Sequence, residues 1–96
     1  MKVEIPGEAQ QDLIDGCRFY ESQMAGRGDY FLDSLFSDID SLHFYAGICA
    51  VHFGYNRLLS KRFPFAVYCR VENDTVRVYA VLDCRRDPCW IRDRLT

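Results

Sequence analysis

FAVYCRVENDTVRVYAVL, residues 65–82, is two runs of β-branched and aromatic residues separated by Asn73-Asp74. Two such runs about a two-residue polar break are the signature of a tight antiparallel hairpin. In the first run Phe65, Val67, Cys69 and Val71 point one way, and in the second Val76, Val78, Ala80 and Leu82 share that face. A two-residue loop sets Arg70 opposite Arg77 and Tyr68 opposite Tyr79 on the other face. Two opposed arginines cost stability unless an acid or an anionic ligand separates them.

Outward from this hairpin, Phe63-Pro64 marks a turn, and Tyr55–Arg62 reads as a preceding strand. Downstream, Asp87 or Pro88 is placed to open a short final helix. Upstream the period changes. Ala9, Leu13, Cys17, Tyr20 and Met24 recur at steps of three and four, with Asp12, Asp15 and Arg18 on the opposite side. After Ala25-Gly26-Arg27-Gly28, Asp29 is a candidate cap for a second helix, whose stripe is Leu32, Leu35, Phe36, Ile39 and Leu42; Asp33, Asp38 and Asp40 fall largely opposite. Val3 and Ile5 alternate with Lys2 and Glu4 as a short strand ended by Pro6-Gly7. The fold class expected is α+β, a helix hairpin packed on a mainly antiparallel sheet, with residues 1–96 as one domain.

Charge divides the chain. Through Phe53 there are nine acids against three cations, whereas from Gly54 onward nine cations, all but Lys61 arginine, face five acids. An anionic partner is therefore drawn to the second half. Five cysteines, Cys17, Cys49, Cys69, Cys84 and Cys89, are an odd number at irregular spacing, so free thiols in a reducing cytoplasm are expected. Cys49-x-x-His52 with Cys84-x4-Cys89 supplies four zinc-ligand types, but without a zinc-site spacing, and no metal is expected. The opening MKVEIPGEAQ lacks a signal-peptide core and a lipidation site, so neither export nor membrane attachment is expected. Glycine-loop, Ser/His/Asp and paired-carboxylate motifs are missing from the sequence, and no cofactor is expected.

Two segments, EAQQDLIDGCRFYESQMAGRGDYFLDSL (residues 8–35) and RLLSKRFPFAVYCRVENDTVRVYAVLDCRRDP (residues 57–88), resemble the RelE/ParE toxin superfamily of bacterial toxin–antitoxin systems. The second is the more specific: Arg62-Phe63-Pro64-Phe65 into Val67-Tyr68, Arg70-Val71 before the turn, and Arg85-Arg86-Asp87-Pro88 resemble the plasmid-stabilisation, ParE-like branch in order and spacing. The resemblance covers Val3 to about Leu95. It implies a type II toxin neutralised by a cognate antitoxin whose flexible segment wraps it, either as a homodimer or in a toxin–antitoxin hetero-oligomer. RelE-like members cut messenger RNA on the ribosome, and ParE-like members inhibit DNA gyrase. In the ribonuclease branch an arginine stands where Phe65 stands here, and a tyrosine near Trp90.

Metal-free RNA cleavage needs a base, a phosphate clamp and an acid. Arginine meets only the second need, since it does not release its proton at neutral pH. Arg57, Lys61, Arg62, Arg85, Arg86 and Trp90 form a candidate anion- and target-binding group, with Lys61 and His52 the alternative catalytic bases. Tyr68, Arg70, Arg77 and Tyr79 form a candidate sheet-face surface. The residues favour a binder of gyrase over a ribosome-dependent ribonuclease, and a non-toxic antitoxin-binding or scaffold homologue is a further alternative.

Overall fold

A computed structural model describes residues 2–96. The elements are β1 (Lys2–Glu4), α1 (Gly7–Gln23), α2 (Arg27–Asp40), α3 (Leu42–Tyr45), a 3-10 turn (Ala46–Ile48), β2 (Val51–His52), β3 (Tyr55–Leu59), β4 (Phe65–Glu72), β5 (Thr75–Asp83) and α4 (Pro88–Leu95). The strands form one sheet in the order β1-β5-β4-β3-β2. β1 runs parallel to β5, and every other neighbouring pair is antiparallel. This is the expected helix hairpin on a mainly antiparallel sheet. The third strand is shorter than its composition suggested: β3 stops at Leu59, which leaves Lys61 and Arg62 in the connection to β4.

The α1–α2 hairpin covers one face of the sheet. Phe31, Leu35, Leu42, Val67, Cys69, Val76, Val78 and Val81 are fully buried there. The Phe31 ring lies 5.2 Å from Tyr20, 5.1 Å from Phe63 and 4.9 Å from Phe65, centroid to centroid. It fits because residue 16 is glycine: a Cβ there would stand 2.5 Å from Phe31 Cζ. Seating Phe31 in this notch rotates α2 from its expected phase. Leu32 becomes half-buried and Phe36 47% exposed. Met24, also expected in the core, is 59% exposed, because α1 has ended and residue 24 is extended. Asp38 turns inward to accept a 2.6 Å hydrogen bond from Ser60 Oγ, so a carboxylate expected in solvent is buried and satisfied.

The helix connection also differs in its cap. Asp29 lies inside the first turn of α2, and Gly26, at φ 86°, occupies the cap position without a side chain to offer. The carboxylate of Glu21 replaces it, accepting from Gly26 N at 3.1 Å and from Gly28 N at 3.0 Å. A negative group at that end satisfies the free N–H groups and opposes the helix dipole.

In the central hairpin, Asn73-Asp74 forms the two-residue loop and Arg70 pairs with Arg77, as the sequence predicts. The arginines are partnered separately. Arg70 donates to Gly54 O at 3.1 Å and stacks 4.0 Å over Tyr55, while Arg77 reaches Glu4 at 3.2 Å. The expected Tyr68–Tyr79 pair does not form. The register shifts between Tyr68 and Cys69, which pair with Ala80 and Val78, so Tyr79 is the extra residue of a β-bulge. Beyond it the faces exchange: Val81 enters the helix-side core, and Ala80 and Leu82 cross to the opposite face. There they join Tyr55, Ala66 and Tyr68 in a second core, closed by Ile91 and Leu95 of α4. The Asp87 side chain caps α4, accepting from Cys89 N at 2.7 Å, with Pro88 in the first turn.

Candidate functional site

The chain brings its basic segments together at one end of the sheet. Cys84 N donates to Pro64 O at 2.8 Å, tying the segment after β5 to the Ser60–Pro64 connection. Lys61, Arg62, Arg85 and Arg86 are all exposed in these two segments. Arg57, half-buried on β3, pairs in register with Tyr68 of β4. Burial raises the Tyr68 phenol above its ordinary value, with hydrogen bonding from Arg57 acting against it. Burial likewise raises the Cys84 thiol, and the Arg57 charge again opposes the shift. Both groups thus hold their protons at neutral pH and are poor bases or nucleophiles.

The cations are not equivalent. Arg85 forks onto Asp83, Nε to Oδ1 at 3.0 Å and Nη2 to Oδ2 at 2.7 Å. Arg86 stacks 4.2 Å from the Trp90 ring and, like Arg57, Lys61 and Arg62, has no acidic partner among the described residues. Arg86 and Trp90 therefore present a positive charge on an aromatic platform, a combination suited to an acidic or aromatic partner group. They border a cleft of about 350 Å³ between α1 and α4, also lined by Asp12, Asp15, Phe19 and Arg94.

Asp12 holds that cleft in shape. β1 pairs with β5 only as far as Arg77, so the N–H of Val81 lies beyond the end of that pairing. Asp12 Oδ2 accepts from it at 3.1 Å, and Arg94 of α4 grips the same carboxylate at 2.8 and 2.9 Å. The sequence placed Asp12 on the solvent face of α1. Its role was missed because both partners are about seventy residues or more away in the chain; its position one turn before the buried Gly16 was the available hint.

His52 does not join this group. It lies on the outermost strand, level with Tyr55, at the opposite end from the Asp83–Phe65 pair. Strand spacings of ~4.8 Å and rises of ~3.3 Å per residue put it on the order of 10 Å (Phe65) to 14 Å (Asp83) across the sheet and 17 Å along it from that pair. Of the two alternative bases, only Lys61 shares the end that carries Arg85 and Arg86. Arg70, Arg77 and Tyr79 lie toward the hairpin end and are held internally, Tyr79 by a 2.7 Å hydrogen bond to Glu72. Tyr68 is 2% exposed, which removes it from any surface. Among the described residues no group of three or more His, Cys, Asp or Glu side chains is placed to hold a metal ion. Nor, among the described residues, is any helix long and apolar enough to cross a membrane.

Hydrogen bonds from Arg85 hold the Asp83 carboxyl below its ordinary value. A carboxylate whose pKa falls on folding stabilises the fold above its unfolded value, near 3.9, and this contribution is lost as pH falls through the folded value. The deficit of Asp83→Asn relative to the parent should therefore be full at pH 7 and shrink below about pH 4. Thermal midpoints of both proteins across this range would show it, and a deficit independent of pH would sink the assignment.

No family model and no curated protein matches the sequence. Among solved structures, the chain is similar to one in the chromosomal ParDE TA system from P. aeruginosa, with a TM-score of 0.76 at 17% sequence identity, covering 84% of this chain and 92% of that one. The architecture implied by the sequence resemblance is thus the one found: a ParE-like α+β fold.

Proposed function

We propose that this chain is the toxin of a type II toxin–antitoxin pair, of the ParE kind, inhibiting DNA gyrase by protein–protein contact and neutralised in the cytoplasm by a cognate antitoxin. The observation that carries the choice of binder over ribonuclease is the make-up of the basic end. Unpaired cations and the Arg86–Trp90 stack converge there, while Lys61 is the one alternative base present and His52 lies at the far end of the sheet. Phe65, at the strand position where the ribonuclease branch resembled by the sequence has an arginine, is buried in the aromatic core. Charge clamping and contact area are available there, whereas paired acid–base chemistry is not. The antitoxin reading adds an acidic flexible segment drawn to the same cations, ordering as it binds.

The test is to induce the chain alone, then assay gyrase supercoiling of a relaxed plasmid and cleavage of a defined message on translating ribosomes. Growth arrest with loss of supercoiling is expected. Arg86→Glu should weaken gyrase inhibition at least about tenfold, in line with the roughly 2–5 kcal/mol lost when one partner of a buried interfacial charge pair is removed. Lys61→Gln and His52→Gln should be mild. Discrete cleavage of the message, abolished by Lys61→Ala, would restore the ribonuclease reading, because removal of a proton-transfer group costs about 100-fold to 10,000-fold in rate. Absence of growth arrest would leave a non-toxic antitoxin-binding homologue.

A further inference from the structure

We infer that the basic end of the sheet is a binding site for duplex DNA, holding the phosphate backbone without reading base sequence. The inference rests on the placement of charge at that end and not on the gyrase reading. Three segments meet there: residues 21–28 about the α1–α2 connection, residues 60–64 between β3 and β4, and residues 83–87 at and after the end of β5. Tyr20 joins them. Its ring lies 4.8 Å from Phe63, the Arg27 guanidinium stands 5.8 Å above it, and Arg85 is held in its charged form by Asp83 first and then by Tyr20. Arg27 is one of only three cations before residue 54, and the fold delivers it to the end where Lys61, Arg62, Arg85 and Arg86 collect.

The charge at this end is local. The three segments carry five cations against three acids, whereas the rest of the chain carries seven cations against eleven acids. Each of the three acids is already engaged: Glu21 accepts from Gly26 and Gly28, Asp83 from Arg85, and Asp87 from Cys89. Arg27, Lys61, Arg62 and Arg86 are exposed and have no acidic partner among the described residues. A polyanion is therefore steered to this end and turned away from the acidic helix hairpin.

The surroundings of the four cations select the polyanion. Single strands bind by stacking successive bases on open rings. Tyr20 and Phe63, the rings between the cations, are buried, Arg86 covers Trp90 at 4.2 Å, and the half-exposed Phe19 and Tyr30 belong to separate helices. Bases find no series of open rings. A flexible acidic peptide would have to be ordered over three segments to meet all four cations, and that ordering opposes binding. The cleft between α1 and α4 would guide it to Arg86 but not to Arg27, Lys61 or Arg62. A duplex is ordered beforehand. It carries one charge per ~1.7 Å of axis, hence about fourteen across the molecule's narrowest extent of 23 Å. Three of the four cations are arginine, whose planar fork donates two parallel bonds to a phosphate.

Fluorescence anisotropy of a labelled duplex of about 20 base pairs tests the site, with the purified chain alone and salt from about 50 mM to about 200 mM. The expected dissociation constant is on the order of 1–100 µM at the lower salt, and log K should fall against log salt with a slope of about −3 to −4, as for four phosphates neutralised. Arg27→Gln, Arg62→Gln and Arg86→Gln should each reduce that slope by about one while keeping the parent circular dichroism spectrum. Lys2→Gln, on β1 at the hairpin end, should change nothing. No binding at low salt, a slope untouched by the three arginine variants, or binding lost on Lys2→Gln would overturn the inference. So would tighter binding of a single strand of the same sequence, or displacement of the duplex by poly-L-glutamate at equal charge, which would make a single strand or an acidic protein the occupant. Gyrase inhibition without duplex binding would remove this inference alone, and duplex binding without inhibition would uphold it and remove the gyrase reading.

Discussion

Phe31→Ala is expected to lower the unfolding free energy by about 3–5 kcal/mol, the range for removing a buried aromatic ring. Domains of this size are typically stable by only about 5–15 kcal/mol, so the variant should be close to unfolding at ambient temperature. The effect is large because the ring joins three others and fills the notch left by Gly16, linking both helices to β4. Gly16→Ala tests the same contact from the other side. Its Cβ would stand 2.5 and 2.7 Å from two ring atoms, and overpacking of this kind costs about 1–3 kcal/mol. Urea unfolding measures both. A loss below ~1 kcal/mol for Phe31→Ala would mean that the ring is not the centre of the core.

Asp12→Ala should be the next most damaging change, at about 2–4 kcal/mol. Asp12 has a side chain only 10% exposed and Arg94 one 27% exposed, so removing the acid strands a partly buried guanidinium. It also leaves the N–H of Val81 unpaired, itself a cost of about 1–3 kcal/mol. Arg94→Met should be milder, since Asp12 would keep its bond to Val81 and the new side chain could pack on α4. A double-mutant cycle on urea midpoints separates the pair from its parts. Equal losses for Asp12→Ala and Arg94→Met would show that the backbone bond contributes nothing.

The strand hairpin was legible because Asn73-Asp74 is local turn chemistry, and the Arg70–Arg77 register followed from it within a few residues. The bulge was not legible. Ala80-Val81-Leu82 is a continuous apolar run, and both faces of the sheet are buried at that point, so alternation cannot say which residue belongs to which core. A similar ambiguity moved α2: Phe31 and Phe36 are both apolar, and only the glycine facing them from another helix decides between them. Asp38 and Asp12 read as solvent-facing acids because their partners, Ser60 and Arg94, lie on distant segments. β2 has two residues, too few for any period to show. At the site, composition identified the basic segments, and their convergence depended on the fold.

The bulge at Tyr79 also bears on how such a chain can drift in length. An insertion at the tip, between Asn73 and Asp74, changes only the loop and leaves every strand pair where it is. Deleting Tyr79 would instead restore uninterrupted alternation through β5, turning Val81 toward α4 and Leu82 toward the helix hairpin. The N–H now held by Asp12 would be displaced at the same step, so the error would be felt in both cores and at the clamp together. Length variation among descendants of this sequence is therefore expected at the tip and excluded at position 79, where one surplus residue keeps two hydrophobic layers in phase.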